Sequence, residues 1–133
     1  MKIRFGWLRF MYVYTIAGAG AFGLGIVIVP NTVRSVLGWP AQDPIMLGVT
    51  GSVYTAFAIL SLIGLRSPLK FAPVLMLQMC YKLVWLLGVI VPQLAAGRLP
   101  NHAIPLAVIF ASYIIGDLIA IPWACVLAKE PRN

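Results

Sequence analysis

The sequence predicts an all-α fold, a single integral membrane domain over residues 1–133 built as an up-down-up-down four-helix bundle. Three observations carry this. Hydrophobic residues make up 62% of the chain and charged residues only 10%, whereas a soluble domain carries about 25% charged residues. Mean hydropathy is +0.97. Four apolar runs are each long enough to cross a hydrocarbon core of about 30 Å, which takes about 20 helical residues. There is too little polar side chain to cover a water-facing surface, so a soluble enzyme is excluded, as are disordered, collagenous and low-complexity classes.

The spans are expected near Trp7–Val29, Ile45–Leu65, Phe71–Val91 and Ala103–Ala128. They must be helices, because lipid offers no partner for backbone polar groups. A membrane β-barrel would need alternating segments of about ten residues, and these runs are continuously apolar. Pro30-Asn31 ends the first span, and Trp39-Pro40 with Asp43-Pro44 precedes the second. Arg66-Ser67-Pro68 with Lys70 makes the next turn, and Pro92 with the Gly97–Asn101 stretch separates the last two. Val33, Val36 and Leu37 at helical spacing predict a short interfacial helix within Thr32–Trp39. The N-terminus has signal-peptide features: Lys2, Arg4, an apolar run, then Ala17, Ala19 and Ala21. That apolar run continues to Val29, too long for a signal h-region, so an uncleaved first span is expected.

Lys2, Arg4, Arg9, Arg66, Lys70, Lys129 and Arg132 fall at one end of these spans, and Arg34 and Arg98 at the other. The positive-inside rule then places both termini in the cytoplasm. The net charge of +7 thereby flanks helices rather than forming a folded basic surface, which argues against nucleic-acid binding. Trp7, Trp39 and Trp123 fall near span ends, as interfacial anchors should. Small residues, among them Ala19/Gly23 and Ala21/Gly25 in the first span and Gly48, Gly51 and Ser52 in the second, permit close helix approach, within the bundle or against another subunit.

Much familiar chemistry is missing. Cys80 and Cys125 are separated by about 15 Å in depth on an antiparallel pair, too far for a disulfide. His102 is the one histidine and has no acid or thiol near it in sequence, so no metal site is expected. No Ser-His-Asp set and no phosphate-binding glycine loop is present. The residues thus imply no catalytic set and no cofactor. The chain has the size of a small multidrug exporter but lacks that family's acid in the first helix.

Two residues break the lipid rule. Lys82 lies mid-way along the third span and Asp117 mid-way along the fourth, and a charge there costs about 2.5–3.5 kcal/mol on insertion scales. Counted from Phe71 and from Ala128, each lies about 17 Å from the same membrane face, which predicts a Lys82–Asp117 ion pair. Similar counts bring Tyr14, Thr15, Tyr54 and Thr55 to comparable depth. Gln78 and Trp85 share the neighbourhood of Lys82, as Tyr113 does that of Asp117. Lys82, Asp117, Gln78, Tyr81, Trp85, Tyr113, Tyr54 and Tyr14 are therefore the candidates for a ligand site or proton relay. A purely structural layer locking helix register is the alternative.

The glycine-rich first helix, the stretch Pro30-Asn31-Thr32-Val33-Arg34-Ser35-Val36-Leu37-Gly38-Trp39-Pro40 and the early Gly48 and Gly51 give the chain a layout that resembles small bacterial DoxX-like four-helix proteins. The resemblance implies a bacterial inner-membrane bundle, often accessory to a redox or lipid-related system and in some members quinone-linked. It carries over no catalytic residue. The leading expectation is a non-enzymatic membrane protein: an accessory subunit packed against other membrane chains or its own copies, or a binder of a lipid, quinone or other lipophile. A proton-coupled transporter component, with Asp117 titrating and Lys82 as counter-ion, is the second expectation. A membrane isomerase using Asp117, Lys82 and Tyr81 is the third.

Overall fold

The computed structural model describes residues 3–132, so Lys2, counted above among the flanking cations, lies outside the described residues. Among these residues the structure is all-helical, without strands. Its elements are α1 (Phe5–Ile28), α2 (Pro30–Val36), α3 (Pro44–Gly64), α4 (Ala72–Ala95), α5 (Ala103–Ala120) and α6 (Trp123–Val126). The helices α1, α3, α4 and α5 are long and apolar enough to cross a membrane. They follow the expected spans closely, and α2 is the expected short helix. Large apolar side chains such as Val13, Ile28, Leu62, Leu77, Val84 and Val108 point outward, which in a bilayer is the favourable direction.

Prolines and glycines punctuate the chain. Pro30 and Pro44 open α2 and α3, and Pro73 lies in the first turn of α4, where a missing N–H costs nothing. Asp43 caps α3, its side chain accepting from Ile45 N at 3.1 Å. Gly38 and Gly97 hold φ of 70° and 69°. At α2, Gly38 N donates to Ser35 O and Trp39 N to Arg34 O; at α4, Gly97 N donates to Leu94 O and Arg98 N to Gln93 O. Both are Schellman stops, in which a left-handed glycine lets the chain reverse.

Two boundaries differ from expectation, and proline explains both. Pro92 does not end the third span: the helix runs on to Ala95, with Leu86–Ile90 wound as a π-helical turn. The proline ring would crowd the carbonyl four residues back, at Gly88, and the wider turn relieves it. The fourth span is shorter than expected. It stops at Ala120, because Pro122 cannot donate to Leu118 O; the Trp123 indole N–H takes that carbonyl instead, at 3.0 Å. Trp123 is thus a structural plug as well as a boundary residue.

Helix α1 organises the bundle. It packs most extensively along α3 and also touches α2, α4 and α5. The α1–α3 seam is antiparallel and, around Gly23 and Gly51, close enough for backbone to meet backbone. An added Cβ on Gly23 would lie 2.6 Å from Thr55 N and 2.8 Å from Gly51 O, and one on Gly51 would lie 2.6 Å from the Ile26 side chain. At the far end of the seam, Gly64 lies under the Tyr12 ring. The small residues of this seam therefore serve packing within the chain, whereas Gly48 has open space around it. Leu8, Met11, Tyr12, Leu75, Tyr113, Ala120 and Ile121 form the apolar core at the end carrying the termini. The Tyr12 hydroxyl donates to Pro68 O at 2.7 Å, tying α1 to the α3–α4 turn. Tyr12→Phe orphans that buried carbonyl and should cost about 1 kcal/mol or more, read as a lowered midpoint in detergent unfolding; an unchanged midpoint would count against a structural role for this bond.

Candidate functional site

Two tiers of polar and aromatic groups lie inside the bundle. The first joins α1, α4 and α5. Gln78 Nε2 donates to Asp117 Oδ2 at 3.0 Å and lies 3.2 Å from Thr15 Oγ1, while Thr15 donates back to Met11 O at 2.8 Å. Thr15, Gln78 and Asp117 are all fully buried. Asp117 Oδ1, Gln78 Oε1 and Ser61 Oγ, likewise buried, have no hydrogen-bond partner among the described residues.

The second tier is one helical turn along. Lys82 is 2% exposed, and its ammonium donates to the Tyr81 hydroxyl at 2.8 Å. It lies 4.5 Å from the centroid of the Tyr81 ring, 4.8 Å from that of Phe110 and 4.5 Å from that of Tyr113, within the range of cation–π attraction.

Lys82 and Asp117, for which the sequence predicts an ion pair, do not hydrogen-bond to each other. Lys82 bonds to Tyr81, and Asp117 accepts from Gln78. The physical reason is register. Gln78 meets Asp117 while Lys82 meets Tyr113, so the antiparallel α4 and α5 are offset by four residues from the alignment that would put the two charges level. Counting depth from Ala128 assumed one straight helix, but Pro122 ends it at Ala120.

Tyr14, Tyr54 and Trp85 extend the site. Tyr14 stacks on Tyr113 with centroids 4.0 Å apart, and its hydroxyl pairs with Ser112 Oγ at 2.7 Å. Tyr113 in turn donates to Tyr14 O at 2.8 Å. That approach needs a glycine at position 18, because a Cβ there would collide with the Tyr113 hydroxyl. Tyr54 packs near Tyr81, Phe110 and Phe22, and Trp85 meets Phe110 edge-on at 5.0 Å. All eight candidates thus belong to one connected interior region, divided between the carboxylate tier and the aromatic tier.

Sequence reasoning missed Phe110, Phe22 and Ser61 and read Trp39 only as a boundary residue. Phe110, Tyr113 and Asp117 are spaced three and four residues apart, which is one helix face, and that periodicity was the available signal. Trp39 turns inward from the loop and meets Phe22 edge-on at 5.5 Å. No local pattern announces this, since it depends on the reversal at Gly38.

A cavity of about 300 Å³ opens among these groups, lined by α1 (Tyr14, Gly18, Ala19, Phe22), one face of α5 from Pro105 to Tyr113 with His102 just before it, Tyr54 and Lys82, with Leu37 and Trp39 at the end opposite the termini. A second hollow of about 380 Å³ shares Phe22, Trp39, Tyr54, Leu106 and Phe110 with it and reaches Tyr81 and Trp85. These volumes suit small-molecule pockets, which are mostly apolar with a few placed polar groups. Among the described residues, no cluster of histidine, cysteine and acid side chains could hold a metal ion. No family model, curated protein or solved structure matches the chain.

Proposed function

We propose that this membrane protein is a non-enzymatic holder of a lipophilic small molecule, a lipid or quinone being the natural class. The observation that carries the reading is the aromatic cavity with a lysine at its inner wall. Aromatic and aliphatic walls remove an apolar ligand from competition with bulk lipid only where shape complements it, and one polar group then orients it. The DoxX-like layout agrees with such a role and with a bacterial inner membrane. The cations Arg4, Arg9, Arg66, Lys70, Lys129 and Arg132 at one end favour cytoplasmic termini. With so little chain outside the spans, partner membrane subunits or further copies would meet its lipid-facing sides.

Purification in mild detergent followed by mass spectrometry tests the reading. A lipophile should be retained in stoichiometric amount, and Leu106→Trp, which fills the wall common to both hollows, should strip it. Protein that retains nothing, or that retains the same lipophile after this change, would refute a binding role.

Asp117 Oδ1 supports a second reading. A buried carboxylate oxygen without a partner is placed to take and release a proton, as intramembrane acids do in proton-coupled transport. In reconstituted vesicles this reading requires a pH-driven flux that Asp117→Asn abolishes.

A further inference from the structure

We propose that the ligand of the aromatic cavity is a long-chain acid, its oxyanion head docked on the Lys82 ammonium and its chain among Phe22, Trp39, Leu106 and Phe110. This deepens the lipophile-binding reading and rests on it. Among the described residues lining the cavity, Lys82 is the one lysine, arginine or acid. An ammonium has three donors and no acceptor, and one of them goes to Tyr81. The rest of its surroundings are ring faces, which attract a cation but leave its N–H groups free for a better acceptor.

Asp117, the buried acid of the neighbouring tier, is engaged by Gln78 one turn away. The chain therefore supplies a caged cation facing an apolar space without a hydrogen-bonded anion of its own. A charge-assisted bond from an ammonium to a carboxylate or phosphate is shorter and roughly twice as strong as a neutral one, and the water-poor cage strengthens it. A neutral carbonyl head would gain less from the same donors. Carboxylate and phosphate heads share this chemistry. Tyr81, whose hydroxyl already touches Nζ, holds the lysine head in place rather than binding the chain.

The test uses the full chain in nanodiscs of phosphatidylcholine, with quenching of intrinsic tryptophan fluorescence as readout, because Trp39 and Trp85 line the two hollows. The probes are dibromostearic acid and its alcohol, with hexadecyl phosphate and a short-chain ubiquinone as competitors. The acid should bind at least about tenfold more tightly than the alcohol, equivalent to about 1.4 kcal/mol. Lys82→Gln should erase that preference. Stronger competition by the phosphate than by unbrominated stearate, added as a third competitor, would assign the head to a phospholipid-type source, and the reverse to a free fatty acid.

Equal binding of acid and alcohol, or displacement mainly by the quinone, would overturn the acidic head while leaving a lipophile-binding cavity standing. Failure of every probe would overturn both. Because the acid–alcohol comparison is made on the unaltered protein, it decides the matter even if Lys82→Gln does not assemble.

Discussion

Gly23→Leu is expected to prevent α1 and α3 from closing, lowering stability by about 3 kcal/mol. The reason is geometric. Even a Cβ at position 23 would meet Thr55 N at 2.6 Å, Thr55 Oγ1 at 2.7 Å and Gly51 O at 2.8 Å. Two of these are backbone atoms, and neither can swing aside as the end of a flexible side chain can. The helices must separate, and with them go the van der Waals contacts that drive helix association where lipid is as apolar as the side chains. Gly48→Leu is the matched control, since nothing lies within 4 Å of a Cβ there. Unfolding in increasing dodecyl sulfate, followed by circular dichroism, should show the Gly23 variant losing helix early and the Gly48 variant following the parent. Coincident curves for the Gly23 variant and the parent would disprove the tight-seam account.

The second large effect concerns the two buried charges. Lys82→Met and Asp117→Asn should each cost about 3 kcal/mol, because either change leaves one charge inside the bundle with no opposite charge close by. The double variant should recover at least about 1 kcal/mol relative to the sum of the two. Although the groups do not touch, they occupy adjacent tiers linked through Gln78 and Tyr113, in a medium where charges act over more than contact distance. Strict additivity in the same unfolding assay would show that Lys82 answers to its aromatic cage alone and Asp117 to Gln78 alone.

The spans were legible because a bilayer demands long apolar helices, and hydropathy reports them directly. The breaks at Asp43-Pro44 and around Gly97 were legible as turn residues, whereas the reversal at Gly38 was not. The small-residue seam could be read as a pattern, yet only packing showed that Gly20, Gly23 and Gly51 face inward while Gly48 does not. The site was legible as a set and misread as a geometry. The residue types and their helix faces singled out eight side chains that lie in one connected region, but helix register decided the contacts, and register depended on where Pro122 broke α5. An error of one helical turn is small in sequence, yet it exchanges a carboxylate for aromatic rings around Lys82. The cavity was less legible still, because it comes from the spacing between helices and from Trp39 folding back over Phe22.

The hub position of α1 bears on how the protein is made. Helices α3, α4 and α5 all pack against it, and it is synthesised before each of them. It can therefore wait in the membrane as a template on which later hairpins dock in turn, without rearrangement of anything already assembled. Its polar burden is light, with Tyr12, Tyr14 and Thr15 but no acid or lysine between Phe10 and Ile28, so it can wait alone in lipid. The costly charges arrive only with the third and fourth spans, and the fourth brings Asp117 together with Phe110 and Tyr113, the rings that close over Lys82.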